Sequence, residues 1–325
     1  MPAVSVVMVF HRLNPFMAEA INSVINQTYR DWELILVDNG TGLSAEALGE
    51  GARDRRVRFV RLQSNEGIPA GHNAGVATAK GEFVALQDYD DLAQPNRLDL
   101  QVSALRADSG LGMVSAFAER IDETSSPLRG GVFCLPESGQ HLAYALYAPP
   151  VITPVAMARR EVLLALPYRA EFPFAADIDL QARLVERWRM AVLPEVLLRY
   201  RVYAAQTTQQ RSTSIEQSRA VIQVITARRR IGQLEDLAST LRAVDGKNAA
   251  ESWRCTSALC AKEGFVVLSA FHARRSFVLE RSFKSALKAM RLLMKARRGC
   301  SLSERRLALR MFLTGPVKAL KLRPA

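Results

Sequence analysis

The chain has 325 residues, of which 49% are hydrophobic and 23% charged, and a formal net charge of +12. That is long enough for one large or two ordinary domains and too apolar for a disordered chain. No run reaches the roughly 18 to 20 apolar residues of a membrane span, and the opening apolar run lacks the basic flank of a secretory signal. Cys134, Cys255, Cys260 and Cys300 have no metal-ligand spacing and read as reduced thiols of a cytosolic protein.

Charge divides the chain. Residues 211–325 hold 24 Lys+Arg against 8 Asp+Glu, whereas residues 1–210 hold 20 against 24. An acidic to neutral front region, 1–210, is therefore joined to a basic back region, 211–325.

In the front region "VSVVMVF" (4–10) is a continuous β-branched run, the pattern of a strand buried on both faces of a parallel sheet. Asn14-Pro15 predicts a helix start, and Phe16, Ala20, Ile21, Val24 and Ile25 recur at helical spacing. "WELILVD" (32–38) and "VRFVRL" (57–62) predict two further strands. "NEGIPAGHNAGVATAKG" reads as a loop entering a helix that stops at Gly81. "EFVALQD" (82–88) is a fourth strand, "QPNRLDLQVSALRAD" (94–108) a helix, and "GMVSAFAERID" a further strand. This alternation predicts an α/β fold with a doubly wound, mostly parallel sheet. Ligands of such sheets sit beyond the carboxyl ends of the strands, where Phe10-His11, Asp38-Asn39 and Asp88-Tyr89-Asp90 all fall.

The first strand is followed by "FHRLNPF", which excludes the glycine fingerprint of a dinucleotide-binding fold; a P-loop is also absent. Asp88, Asp90 and Asp91 offer another way to hold phosphates. Mg²⁺ and Mn²⁺ bind through one or two carboxylates together with the phosphates of a substrate. The plain structural alternative is that Asp90 or Asp91 caps the helix near Pro95. Asp177 and Asp179 in "AADIDLQARL" open an amphipathic helix, for which ordinary N-capping by Asp177 is the corresponding alternative. For Asp38 and Asn39 it is a turn closing the strand.

The ordered set "VSVVMVFHR…AINSVINQTYRDWELILVDNGTG" and "NEGIPAGHNAGVATAKGEFVALQDYDDLAQPNRL" resembles family 2 inverting glycosyltransferases of the GT-A fold. The likeness is close over residues 3–108 and looser through "FPFAADIDLQARLVER" and "LLRYRVYAAQTT". It implies a GT-A catalytic domain over 1–210 and a metal-dependent, hexosyltransferase-type enzyme. Such an enzyme moves a sugar from a nucleotide-diphospho-sugar, UDP favoured over dTDP or GDP, to a glycan or lipid-linked hydroxyl in cell-surface polysaccharide synthesis. The resemblance makes Asp177 the catalytic base. It places Phe10, Asp38, Asn39, Gly67, Asn73, Asp88, Asp90 and Arg201 around the donor, and Asp90, Asp88 and Asp91 on a Mg²⁺ or Mn²⁺ ion. Two departures stand out: Ala176 replaces the family's Glu, and Tyr203 replaces a His found in many relatives. They motivate the alternative of a non-catalytic basic binding protein on an inactivated scaffold.

The back region is helical by pattern. "RSFKSALKAMRLLMKARRG" sets Phe283, Leu287, Met290, Leu293 and Met294 on one face with Lys284, Lys288, Arg291 and Lys295 beside it. A basic amphipathic helix suits an anionic bilayer surface, which predicts a cytoplasmic protein peripheral at the inner face of the membrane. Packing against the catalytic domain is the other reading. Nucleic acid is disfavoured by the scarcity of aromatics and the lack of a matching fold.

Overall fold

The computed structural model describes residues 1–133 and 151–212, with scattered positions to 226. The chain divides into two compact units, residues 1–142 with 149–212, and residues 143–148 with 213–325. The basic amphipathic segment lies outside the described residues.

The first unit is built on the four parallel strands anticipated from the apolar runs. Strands β1 (Val4–Phe10), β2 (Trp32–Asn39), β3 (Val57–Leu62) and β4 (Phe83–Leu86) lie in the order β3-β2-β1-β4. Every residue of β2 and β4 is buried, which is why Leu34–Val37 and Phe83–Leu86 read as unbroken apolar stretches. Helix α1 (Met17–Ile25) covers one face with Met17, Ala20, Ile21 and Val24. It begins later than Asn14-Pro15 suggests. Asn14 Oδ1 accepts the Phe16 amide at 2.9 Å, so its side chain closes a turn ahead of the helix. Helix α2 (Ile68–Thr78) lies close on the sheet, and a Cβ at Gly71 would run into the Val9 side chain.

The sheet then becomes mixed, continuing through β8 (Met157–Arg159), β6 (Leu111–Ile121), β9 (Arg189–Arg201) and β5 (Leu92–Ala93), with β7 (Pro127–Phe133) on β6. β4 and β8 pair antiparallel, while β6 and β9 pair parallel. The two-residue β5, which pairs Leu92 with Arg199, has no periodicity and is invisible in the sequence. It consumes the residues before Pro95, so helix α3 begins at Arg97 and runs to Ala107. Helices α4 (Arg160–Ala165), α5 (Ala176–Leu184) and the short α6 (Thr207–Gln210) complete the described residues.

Parallel register is what assembles the site. Phe10 pairs with Asp38, Asn39 with Leu62, and Val7 with Leu86. The ends of β1, β2 and β4 therefore open on one edge, as Asp38, Asn39 and the aspartate turn require.

Candidate active site

The turn after β4 brings Asp88, Asp90 and Asp91 together, with one oxygen of each within 4.8 Å of the others. None of the three caps α3. Asn96 occupies the N-cap of α3 without a side-chain bond of its own, and the Leu98 amide in the first turn donates to Gln27 Oε1 at 3.1 Å. Gln87 shapes the turn instead, donating from Nε2 to the carbonyls of Asp88 (3.1 Å) and Asp91 (3.0 Å). Arg97, 1% exposed, donates to Gln87 Oε1 at 2.6 Å and to the Leu86 carbonyl at 2.7 Å. A second buried guanidinium, Arg201, donates from Nε to the Asp90 carbonyl at 3.0 Å, and its amide donates to Asp91 Oδ1 at 2.8 Å.

These cations do not neutralise the turn. Burial, then the charges of Asp90 and Asp177, push Asp88 up to about 7 against the pull of Arg97. Burial, followed by Asp90 and Asp88, holds Asp91 well above the usual carboxylate range. Burial also raises Asp90, opposed by the Tyr203 hydroxyl. Two carboxylates this close repel by roughly 3 kcal/mol at an effective dielectric of about 20, so three of them favour an added cation. Asp91 Oδ2 is buried without a hydrogen-bond partner. An orphaned carboxylate oxygen inside an all-oxygen set fits a hard divalent ion. Asp88, though crowded by protein on most sides, keeps part of its surface open, which leaves room for a ligand's own oxygens.

Asp177 opens α5 on another side of the same space, near enough for its charge to raise Asp88. It is not an N-cap: Ala175 holds that position without a side-chain bond. Thr153 Oγ1 donates to Asp177 Oδ2 at 2.9 Å, and Gln181 Nε2 donates to Thr153 Oγ1 at 2.8 Å, so the carboxylate is held from the core side. Asp179, two residues on, is 1% exposed and not solvated as a surface helix residue would be. It is clamped by Arg169 and, at 2.9 Å, by Arg183.

The structure redefines several of the expected donor contacts. Arg201 is 0% exposed, with Nη1 on the Asp122 and Glu123 carbonyls, Nη2 on Glu19 and its plane 4.2 Å above Phe16. It is a structural cation and not the expected phosphate partner, because a guanidinium sealed this way cannot reach a donor. Phe10 is likewise 0% exposed, so its side chain belongs to the core and only its place at the end of β1 is near the edge. The Asn39 amide is consumed by the next loop: Nδ2 donates to the Gly67 carbonyl at 3.0 Å and Oδ1 accepts the Glu66 amide at 2.9 Å. Asn73 spends both ends of its amide on the Tyr168 backbone, at 2.9 and 2.8 Å. Both asparagines shape the walls of the site. Asp38 accepts from the Thr41 amide and hydroxyl and from the Gly42 amide, which supports the turn reading of that residue. Gly67, at φ +88°, starts α2 in a conformation that an L side chain resists.

Other participants carried no sequence signal. His72 is buried and stacks on Tyr168 at 4.8 Å, and burial lowers it to about 4. Arg12, half-buried beyond β1, donates from Nη2 to the Ala205 carbonyl at 2.6 Å, lies near Tyr89 and Tyr203, and its charge is felt at Asp90.

Residues 5–164 match the sequence profile described as glycosyl transferase family 2. This segment is a family 2 glycosyltransferase domain. Similar curated proteins include an uncharacterised glycosyltransferase of Methanocaldococcus jannaschii, 27% identical over 206 residues, which span 62% of this chain and 71% of that one. Another from Haemophilus influenzae is 26% identical over 218 residues, 64% of this chain and 68% of its own. Among solved structures, S. aureus TarS 1–349 in complex with UDP-GlcNAc superposes with a TM-score of 0.59 at 13% identity. That match covers 96% of this chain and 91% of the TarS chain. A longer TarS chain is matched over only 55% of its length. At such identity the likeness concerns the fold, and it agrees with the GT-A architecture of this family 2 domain. No described helix is long and apolar enough to cross a membrane.

Proposed function

We propose that this family 2 domain transfers a sugar, with inversion, from a nucleotide-diphospho-sugar to a hydroxyl of a glycan or lipid-linked acceptor. The observation that carries the reading is the facing pair: the three-aspartate turn with its orphaned Asp91 oxygen, and Asp177 held across the same space by Thr153. Asp88, Asp90 and Asp91 would hold a Mg²⁺ or Mn²⁺ ion. When bound, that ion supplies charge stabilisation for a departing diphosphate. Arg12, and not Arg201, is the cation placed to meet the phosphates. Asp177 takes the proton of the acceptor hydroxyl, a role for which a carboxylate oriented by the Thr153 hydroxyl is suited. A UDP-sugar is favoured as donor, supported by the UDP-GlcNAc of the TarS complex.

The acceptor class, membrane-linked glycan at a cytoplasmic membrane face, rests on the basic amphipathic pattern of residues 281–299. Cell-surface polysaccharide synthesis is the matching process. Mn²⁺-dependent hydrolysis of a panel of nucleotide-sugars is the test. Turnover of one nucleotide class, lost in Asp90→Ala, supports the reading; binding without any turnover would favour a non-catalytic scaffold.

A further inference from the structure

Tyr203 lies two residues beyond β9 and directs its hydroxyl into the aspartate turn. The hydroxyl oxygen is 2.6 Å from Asp90 Oδ2 and 2.9 Å from Asn14 Nδ2. The Asn14 amide nitrogen can only donate, so it uses a lone pair of the phenol oxygen. The single phenolic proton is then committed to Asp90. Its ring is held edge-on by Phe16 at 5.2 Å, and Phe16 is covered in turn by the Arg201 guanidinium. Nothing in this arrangement lets the hydroxyl rotate to another acceptor without breaking a contact.

We propose that Tyr203 is a positioning residue for the cation site: its hydroxyl locks the Asp90 carboxylate through Oδ2 and presents Oδ1 to the metal. The inference rests on the metal reading of the three aspartates given above. A neutral phenol is a poor ligand for a hard cation, yet as a donor to the outer oxygen of a ligating carboxylate it fixes the orientation of that group. Partners of this kind typically contribute about 10–100-fold to metal affinity. The arrangement also joins the loop after β1, through Asn14, to the turn after β4, so three separate chain segments meet at one phenol oxygen.

The test is a titration of the full chain with Mn²⁺ alone, followed by the electron paramagnetic resonance signal of the free ion. It is run on wild type and Tyr203→Phe, with thermal unfolding of both proteins in chelator. Removing only the hydroxyl should weaken Mn²⁺ binding about 10-fold or more while leaving the metal-free melting temperature unchanged. The infrared difference spectrum on Mn²⁺ addition should also shift its carboxylate bands in the variant. Equal Mn²⁺ affinity in the two proteins overturns the inference alone. So does an affinity loss matched by a fall in metal-free stability, which would make Tyr203 a packing residue. If wild type binds no Mn²⁺, the metal reading of the aspartates fails and this inference fails with it.

Discussion

Two buried aspartate groups in this domain are handled in opposite ways. Asp179 is as deeply buried as Asp91, yet Arg169 and Arg183 grip both of its oxygens. Asp91 and its neighbours instead share the field of two guanidiniums that are largely spent on backbone carbonyls, and one Asp91 oxygen is left without any partner. A carboxylate with its own cations is a structural tie. A carboxylate cluster short of cations is a place for a ligand. Residue type and depth are the same in the two cases, so it is the accounting of partners that separates structure from function.

The comparison can be broken most severely at the structural tie. Asp179→Ala leaves two guanidiniums without their shared anion, and loss of one partner of a buried ion pair typically costs about 3–5 kcal/mol. Chemical denaturation should show a loss of that size with little recovery on adding Mn²⁺. Asp177→Asn should do the reverse. We expect turnover to fall by about 10²–10⁴-fold at saturating donor, as for loss of a general base, with melting temperature and Mn²⁺ affinity near wild type. Single-turnover assays check this; a variant keeping more than about a tenth of wild-type turnover moves the base elsewhere.

The ligand-seeking cluster makes a prediction about pH. The raised Asp88 proton affinity, about 7 in the folded chain, favours folding below the ordinary carboxylate range, and this contribution is lost as pH rises through 7. Metal-free wild type should therefore lose stability relative to Asp88→Asn between pH 4 and 8, and Mn²⁺ should reverse the loss at the alkaline end. A pH-independent difference between the two proteins would mean that the cluster carries no excess charge. The smallest effect belongs to His72. Burial lowers it to about 4, so the stability of the neutral ring is present above its ordinary value near 6.5 and lost as pH falls toward 4. Urea titrations at pH 7 and 5 should show wild type losing about 2 kcal/mol more than His72→Gln.

Much of the fold was legible because the strands of a parallel sheet are buried on both faces and so read as continuous apolar runs. β1, β2 and β4 fall where those runs lie, and the buried face of α1 follows its helical spacing. β5 was not legible, since two residues have no period and owe their conformation to pairing with β9. The same contrast holds at the site. The aspartate turn of Asp88, Asp90 and Asp91 was legible because an open α/β sheet gathers its strand ends on one edge whatever the side chains do, whereas Asp177, in the first turn of α5, was indicated only by the family resemblance.

Whether each polar group faces a ligand or the protein depends on partners from distant parts of the chain, and no local pattern encodes those. Arg201 and Arg12 are both arginines at strand ends, but Arg201 is sealed by Glu19 and the Asp122 and Glu123 carbonyls, while Arg12 remains at the edge. Asn39 and Asn73 matched donor-contact positions, yet their amides close on Glu66, Gly67 and Tyr168. Tyr203 stands where many relatives carry a His, and its hydroxyl donates at 2.6 Å to Asp90, 113 residues away in sequence. A hydrogen bond is decided by atoms within about 3 Å of each other, and only the folded chain sets those distances.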